Sequence, residues 1–82
     1  MTVTVKLFGP QAQIVGHREV LLEFPVSEIN CGDLRRALAG TDSRLGASLG
    51  GSRIAVNQTF AADSHPVRAG DEVALIGLIG GG

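Results

Sequence analysis

The segment from Glu72 to Ile79, EVALIGLI, is apolar on both sides of a period-two pattern. Val73, Leu75 and Ile79 fall on one side, Ala74, Ile76 and Leu78 on the other. Successive side chains of a strand point to opposite faces of its sheet. A strand apolar on both faces is therefore central, or is covered on its second face by something else. The chain has 82 residues, enough for one domain, and a chain this short buries only about 60% of the surface its unfolded form exposes. The core is thin, and there is little room for a buried active site. Hydrophobic content of 44% with 18% charged residues argues against disorder.

The rest of the chain supplies partners for that strand. Val3, Val5 and Leu7 alternate with Thr2, Thr4 and Lys6, so the opening is a strand with one buried face. Phe8 falls on its polar side. GPQAQIVG, residues 9–16, reads as a loop with room for one helical turn. Val20, Leu22 and Phe24 then alternate with Glu19 and Glu23, which completes a hairpin. Pro25 ends the strand and the period changes. Asn30 is a good N-cap, Asp33 lies near the positive end of the helix dipole, and Ile29 with Leu34 suits a hydrophobic staple. Leu34, Ala37 and Leu38 have helical spacing, and Gly40 is placed to stop the helix. Ser43 to Leu49 reads as another short helical turn with Leu45 and Leu49 inward, and GGS, residues 50–52, as a loop. Ile54 and Val56 mark a third strand, Asn57-Gln58 a tight turn, and Thr59 to Ala61 a short fourth strand. ADSHPVRAGD, residues 62–71, reads as loop. One helix and several strands give an α+β layer architecture with the main helix across one face of a sheet of four to five strands, which matches a β-grasp.

Few side chains offer chemistry. The net charge of −1, with Arg35-Arg36 as the only basic doublet, gives no basic stripe for nucleic acid. MTVTVKLF lacks the basic and apolar regions of a signal peptide. The run Val73 to Ile79 is far below membrane-spanning length. The single cysteine, Cys31, allows no internal disulfide and fits a reducing compartment. The expectation is a cytoplasmic protein engaging neither nucleic acid nor membrane. His17, His65 and Cys31 have no metal-ligand spacing. Cys31 near a helix start could have a lowered pKa, against the simpler reading of a small residue in the first turn. GASLGGS and GLIGGG lack the strand–glycine–helix order of a phosphate loop or dinucleotide fingerprint.

That leaves Gly80, Gly81 and Gly82. Glycine loses the most freedom on ordering, so a glycine tail adds nothing to a core. The terminal carboxylate of Gly82 is ionised at neutral pH. A carboxylate anion is a poor electrophile, so another enzyme must activate it, for example as an acyl-adenylate. Residues 78–82 extended reach about 17 Å, and glycines pass a narrow channel because they have no Cβ. A frayed terminus is the bland alternative. We divide the chain into a domain of residues 1–79 and a flexible glycine tail of residues 80–82.

The stretch AVNQTFAADSHPVRAGDEVALIGLIGGG closely resembles the carboxyl-terminal third of the sulfur-carrying small subunit of molybdopterin synthase, and VKLFGPQAQIVG resembles the first strand and loop of that family. The resemblance spans nearly the whole chain. It implies a ubiquitin-like β-grasp whose Gly82 carboxylate is adenylated by an ATP-dependent enzyme related to ubiquitin activators. A sulfur donor system then converts it to a thiocarboxylate. The tail enters the large catalytic subunit of the synthase, in a heterotetramer with two copies of each chain, and there sulfur passes to cyclic pyranopterin monophosphate. On this resemblance the chain is a cosubstrate without catalysis, cofactor or metal of its own, and ATP belongs to the activating enzyme. The matched partner-binding positions are Phe8, Phe60 and Ile76. An aromatic such as Phe8 on a solvent-facing side suits a partner anchor, and equally a cover for the sheet edge.

The tail departs from the family pattern. Many members place an aromatic and a proline before the Gly-Gly; this chain has LIGLI and a third glycine, Gly80. Three other functions stay open: sulfur carriage for thiamine or cysteine biosynthesis, protein modification through Gly82, and plain binding with an idle tail. Lys6 is the only lysine, so a modifier could form chains through one site alone.

Overall fold

In the computed structural model, which describes residues 1–77 (side chains 47 and 48 excepted), the opening alternation forms strand β1 (Thr2–Leu7) with Val3, Val5 and Leu7 buried. Residues 9–16, read as a loop, contain a six-residue helix, α1 (Pro10–Val15). Pro10 occupies the first turn, where its missing N–H is not needed. Gly16, at φ 78°, closes the helix by donating its N–H to Ala12 O at 2.9 Å. Strand β2 (Glu19–Glu23) returns antiparallel to β1, with Val5 opposite Val20.

Strand β3 (Glu28–Asn30) leads directly into helix α2 (Cys31–Thr41). The expected cap is present as a full capping box: Asn30 Oδ1 accepts the Asp33 N–H at 2.8 Å, and the Asp33 carboxylate accepts the Asn30 N–H. Leu34 and Leu38 are fully buried and Ala37 packs against the core. The stop at Gly40 is corrected. Gly40 lies inside α2, which ends at Asp42; that residue turns extended and caps the next helix, α3 (Ser43–Ser48), by accepting the Arg44 N–H at 2.9 Å. A carboxylate able to start a second helix competes better than a glycine that only permits an end. A 3₁₀ turn (Leu49–Gly51) follows, and Leu45 and Leu49 are buried as expected.

Strand β4 (Ser52–Val56) takes in Ser52, read as loop. It turns through Asn57 and Gln58, at φ 52° and 70°, into β5 (Thr59–Phe60). Positive φ at both central residues matches the twist of a two-residue hairpin. The segment read wholly as loop contains β6 (Pro66–Arg68), which pairs antiparallel with β3. The last strand, β7 (Val73–Gly77), is central: parallel to β1 with Leu7 opposite Leu75, and antiparallel to β4 with Ile54 opposite Leu75. Leu78, Ile79 and the boundary at 79 lie outside the described residues.

Among the described residues the main sheet runs β2-β1-β7-β4-β5, and β3-β6 forms a separate pair. The parallel β1–β7 neighbours need a crossover connection, and the helical region supplies it. Val5, Ile54, Val73 and Leu75 on the inner face meet Leu34, Leu38 and Leu45 in one core. This is an α+β, ubiquitin-like β-grasp. Among the described residues no helix is long and apolar enough to cross a membrane.

Candidate functional site

Sheet register builds the outer face. Lys6 stands opposite Ala74, Ala74 opposite Ala55, and Ala55 opposite Phe60, a row across four strands. The two central residues are alanines, so the row dips in the middle. Phe8, Ile76 and Phe60 rise around the dip and, with Gln58 and Glu72, line a shallow concavity of about 280 Å3. Phe8 is 51% exposed and Phe60 48%. The three positions matched from the sequence therefore share one surface. Phe8 does reach it from the polar side of β1, because the residue after the strand keeps the parity of Thr4 and Lys6.

Two contacts hold the walls. The Arg53 guanidinium lies 4.5 Å from the centroid of the Phe60 ring, a cation–π contact that orients the ring. Lys6 and Glu72 pair at 3.6 Å on the rim; both are half exposed, so the pair adds little stability. Arg53, Ala55 and Ala74 were missed in the sequence. The alternation of Arg53 and Ala55 with Ile54 and Val56 was the available signal, but the pairing of Ala55 with Phe60 depends on the register of the hairpin.

The motifs VNQT and GDEV meet in space. Asn57 Nδ2 donates to Asp71 Oδ1 at 3.2 Å, the Glu72 N–H donates to Asn57 Oδ1 at 3.0 Å, and the Asn57 N–H donates to Glu72 O at 2.7 Å. Asp71 also accepts the Arg68 N–H at 2.8 Å. That backbone bond, then the Asn57 amide, holds the Asp71 carboxyl below its ordinary pKa. The clamp ties the β4–β5 hairpin to the start of β7 and so fixes Phe60 relative to Ile76.

At the other end of β7, Gly77 lies opposite Ser52. Gln11 from α1, only 3% exposed, donates from Nε2 to Ser52 Oγ at 2.7 Å. A Cβ on Gly77 would stand 2.9 Å from Gln11 Cδ and Nε2 and closer still to Oε1. Gln11 was invisible in the sequence, where a glutamine between glycines reads as surface loop.

Other candidates hold no reactive site. Cys31 is fully buried, and burial first, then the Asp63 charge, pushes its thiol pKa up. This agrees with the simpler reading of Cys31 as a small residue in the first turn, since burial disfavours the thiolate. Among the described residues no cluster of His, Cys, Asp and Glu could hold a metal ion. Gly80, Gly81 and Gly82 lie outside the described residues.

The model of the ThiS family matches residues 5–82. The chain belongs to the ThiS family. No curated protein matches the sequence. Among solved structures, SAMP1 from Haloferax volcanii is 27% identical over 100% of both chains, with a TM-score of 0.85; another crystal structure of it is described as small archaeal modifier protein 1. A chain in the protein–protein complex of subunits 1 and 2 of molybdopterin-converting factor from Helicobacter pylori is 25% identical over 100% of both chains, with a TM-score of 0.70. A Pyrococcus furiosus protein assigned as molybdopterin converting factor subunit 1 shares the fold, at 22% identity, 96% and 99% coverage of this chain and that one, and a TM-score of 0.81. As a ThiS-family member the chain is a ubiquitin-like sulfur-carrier protein.

Proposed function

We propose that this chain carries sulfur in molybdenum cofactor biosynthesis, as a thiocarboxylate on Gly82. An activating enzyme joins the Gly82 carboxylate to the adenylyl group of ATP with loss of pyrophosphate, and a sulfur nucleophile then displaces AMP. The loaded tail enters the large catalytic subunit of molybdopterin synthase. There its sulfur passes to cyclic pyranopterin monophosphate, and the tail returns to a carboxylate. The chain itself supplies a leash and a docking face and holds no cofactor. It works in the cytoplasm, where the single thiol Cys31 stays reduced.

The observation that carries this reading is geometric. The concavity of Phe8, Ile76 and Phe60 lies on the outer face of the sheet, and Ile76 belongs to the strand that leads to residues 78–82. A partner gripping that face stands beside the origin of the tail. Likeness to a chain from the complex of subunits 1 and 2 of molybdopterin-converting factor supports a large-subunit partner.

The likeness to SAMP1 favours one second reading, a protein modifier that forms isopeptide bonds through Gly82. One experiment separates the two. The chain is incubated with the activating enzyme, ATP and a sulfur donor, and its intact mass is read. Sulfur carriage gives an oxygen-for-sulfur exchange at the terminus, and the product pairs with the large subunit. Ladders on other proteins, with no such pairing, would replace this reading with the second.

A further inference from the structure

Arg53 carries a charge that the fold leaves unmatched. It is exposed on β4, has the parity of Ala55, and stands opposite Ile76 on β7. Among the described residues Arg35 pairs with Asp63, Arg36 with Asp33, Arg44 with Asp42 and Arg68 with Glu28. Lys6, on the opposite rim of the concavity, has Glu72 at 3.6 Å. No described carboxylate pairs with Arg53. Its guanidinium lies instead 4.5 Å from the centroid of the Phe60 ring, and no described oxygen accepts its N–H groups. Arg18 also lacks a carboxylate among the described residues, but no ring lies against it.

The contact with Phe60 constrains any partner. A protein that covers the ring, which is 48% exposed and lines the concavity, covers the guanidinium beside it. A cation removed from water without a counter-charge is strongly disfavoured. The ring offsets part of that loss through its quadrupole, but it supplies no oxygen to the planar N–H fork. A carboxylate does both, and it can take two parallel hydrogen bonds from the fork. Lys6 makes no such demand, because Glu72 already neutralises it. The face is therefore asymmetric: apolar in the middle, self-neutralised at Lys6 and Glu72, and open to an anion at Arg53.

We propose that Arg53 is a specificity-determining residue of this face: the protein that covers the concavity presents a carboxylate to its guanidinium, seated beside Phe60 and opposite Ile76. The carboxylate fixes which way round that protein sits on the sheet. The partner named here is the large subunit, so the proposal rests on the reading above.

Calorimetric titration of the full chain with the large subunit tests it. Arg53→Met keeps an apolar stem against Phe60 and removes the fork. It is expected to weaken binding about tenfold to hundredfold, the loss of a charge-assisted hydrogen bond. Between about 50 and 500 mM salt its affinity should also fall less steeply than that of the wild type, because a screened ion pair has gone. Arg53→Glu should abolish binding, and changing one acidic residue of the large subunit to arginine should restore it. Unfolding midpoints of both variants should match the wild type. Wild-type affinity in Arg53→Met would overturn the proposal and leave the docking reading standing. So would a loss with the wild-type salt dependence, which would reduce Arg53 to a support for the Phe60 ring, or failure of every such acidic-to-arginine change to restore Arg53→Glu. No binding by the wild-type chain would overturn the docking reading and this proposal with it.

Discussion

Phe60 presents half of its surface to solvent, with Arg53 against its ring. A side chain so placed contributes little to folding and much to any partner that covers it. Phe60→Ala should weaken binding to the large subunit by about tenfold or more, while chemical unfolding shows a loss below about 1 kcal/mol. Equal affinity by calorimetry would remove Phe60 from the interface. A second residue-scale effect concerns acid. Arg44, through its side chain and then its backbone N–H, holds the Asp42 carboxyl at about 2, below the ordinary 3.8. The folded value is the lower one, so this stabilisation is full above the unfolded value and is lost as pH falls from 3.8 towards 2. Asp42→Asn should therefore flatten the fall in stability across that window, read from unfolding midpoints at a series of pH values. Residue-scale reading of the sequence succeeded where one side chain decides the outcome, as at Asn30, whose cap needs only its own neighbours. It failed at Gln11, because burial there depends on Ser52, 41 positions away.

The β4–β5 hairpin shows what an element can and cannot declare in advance. Asn57-Gln58 announces a two-residue turn, but glutamine at φ 70° carries the steric cost of the left-handed region. Gln58→Gly should raise stability by about 0.5–1 kcal/mol in urea unfolding, offset in part by the added freedom of the unfolded chain. A loss of stability would mean that the contacts of Gln58 outweigh its backbone cost. Long elements were legible because period two and period 3.6 repeat within them: β1, β2, α2 and the inner residues of α3. The pair β3–β6 was not. Each strand has three residues and one buried apolar side chain, Ile29 and Val67, and a single residue has no period. Their pairing is set by the loop around Asp63 and His65, whose carbonyls accept the Gly32 and Cys31 N–H groups at 2.9 and 3.0 Å. The end of α2 was misplaced because Gly40 permits a stop while Asp42 enforces one.

Across the whole molecule, the doubly apolar segment EVALIGLI set the architecture. In its described part, Val73 and Leu75 face the core, while Ala74 and Ile76 face the concavity. One strand thus joins the folding core to the outer concavity, and its sequence leads to residues 78–82. On the proposed function, that division of labour assigns stability to the body and chemistry to the terminus. Leu75→Ala should cost about 2–5 kcal/mol, the usual range for a fully buried leucine, and the large subunit should still bind the fraction that remains folded. Removing Gly82 should do the opposite. The most direct test compares the intact chain with the variant lacking Gly82, by thermal unfolding and by intact mass after incubation with activating enzyme, ATP and sulfur donor. Matching unfolding midpoints are expected, with sulfur incorporated at the terminus of the intact chain alone. Sulfur incorporation of equal extent in the shortened chain would contradict the claim that the reactive atom is carried by Gly82.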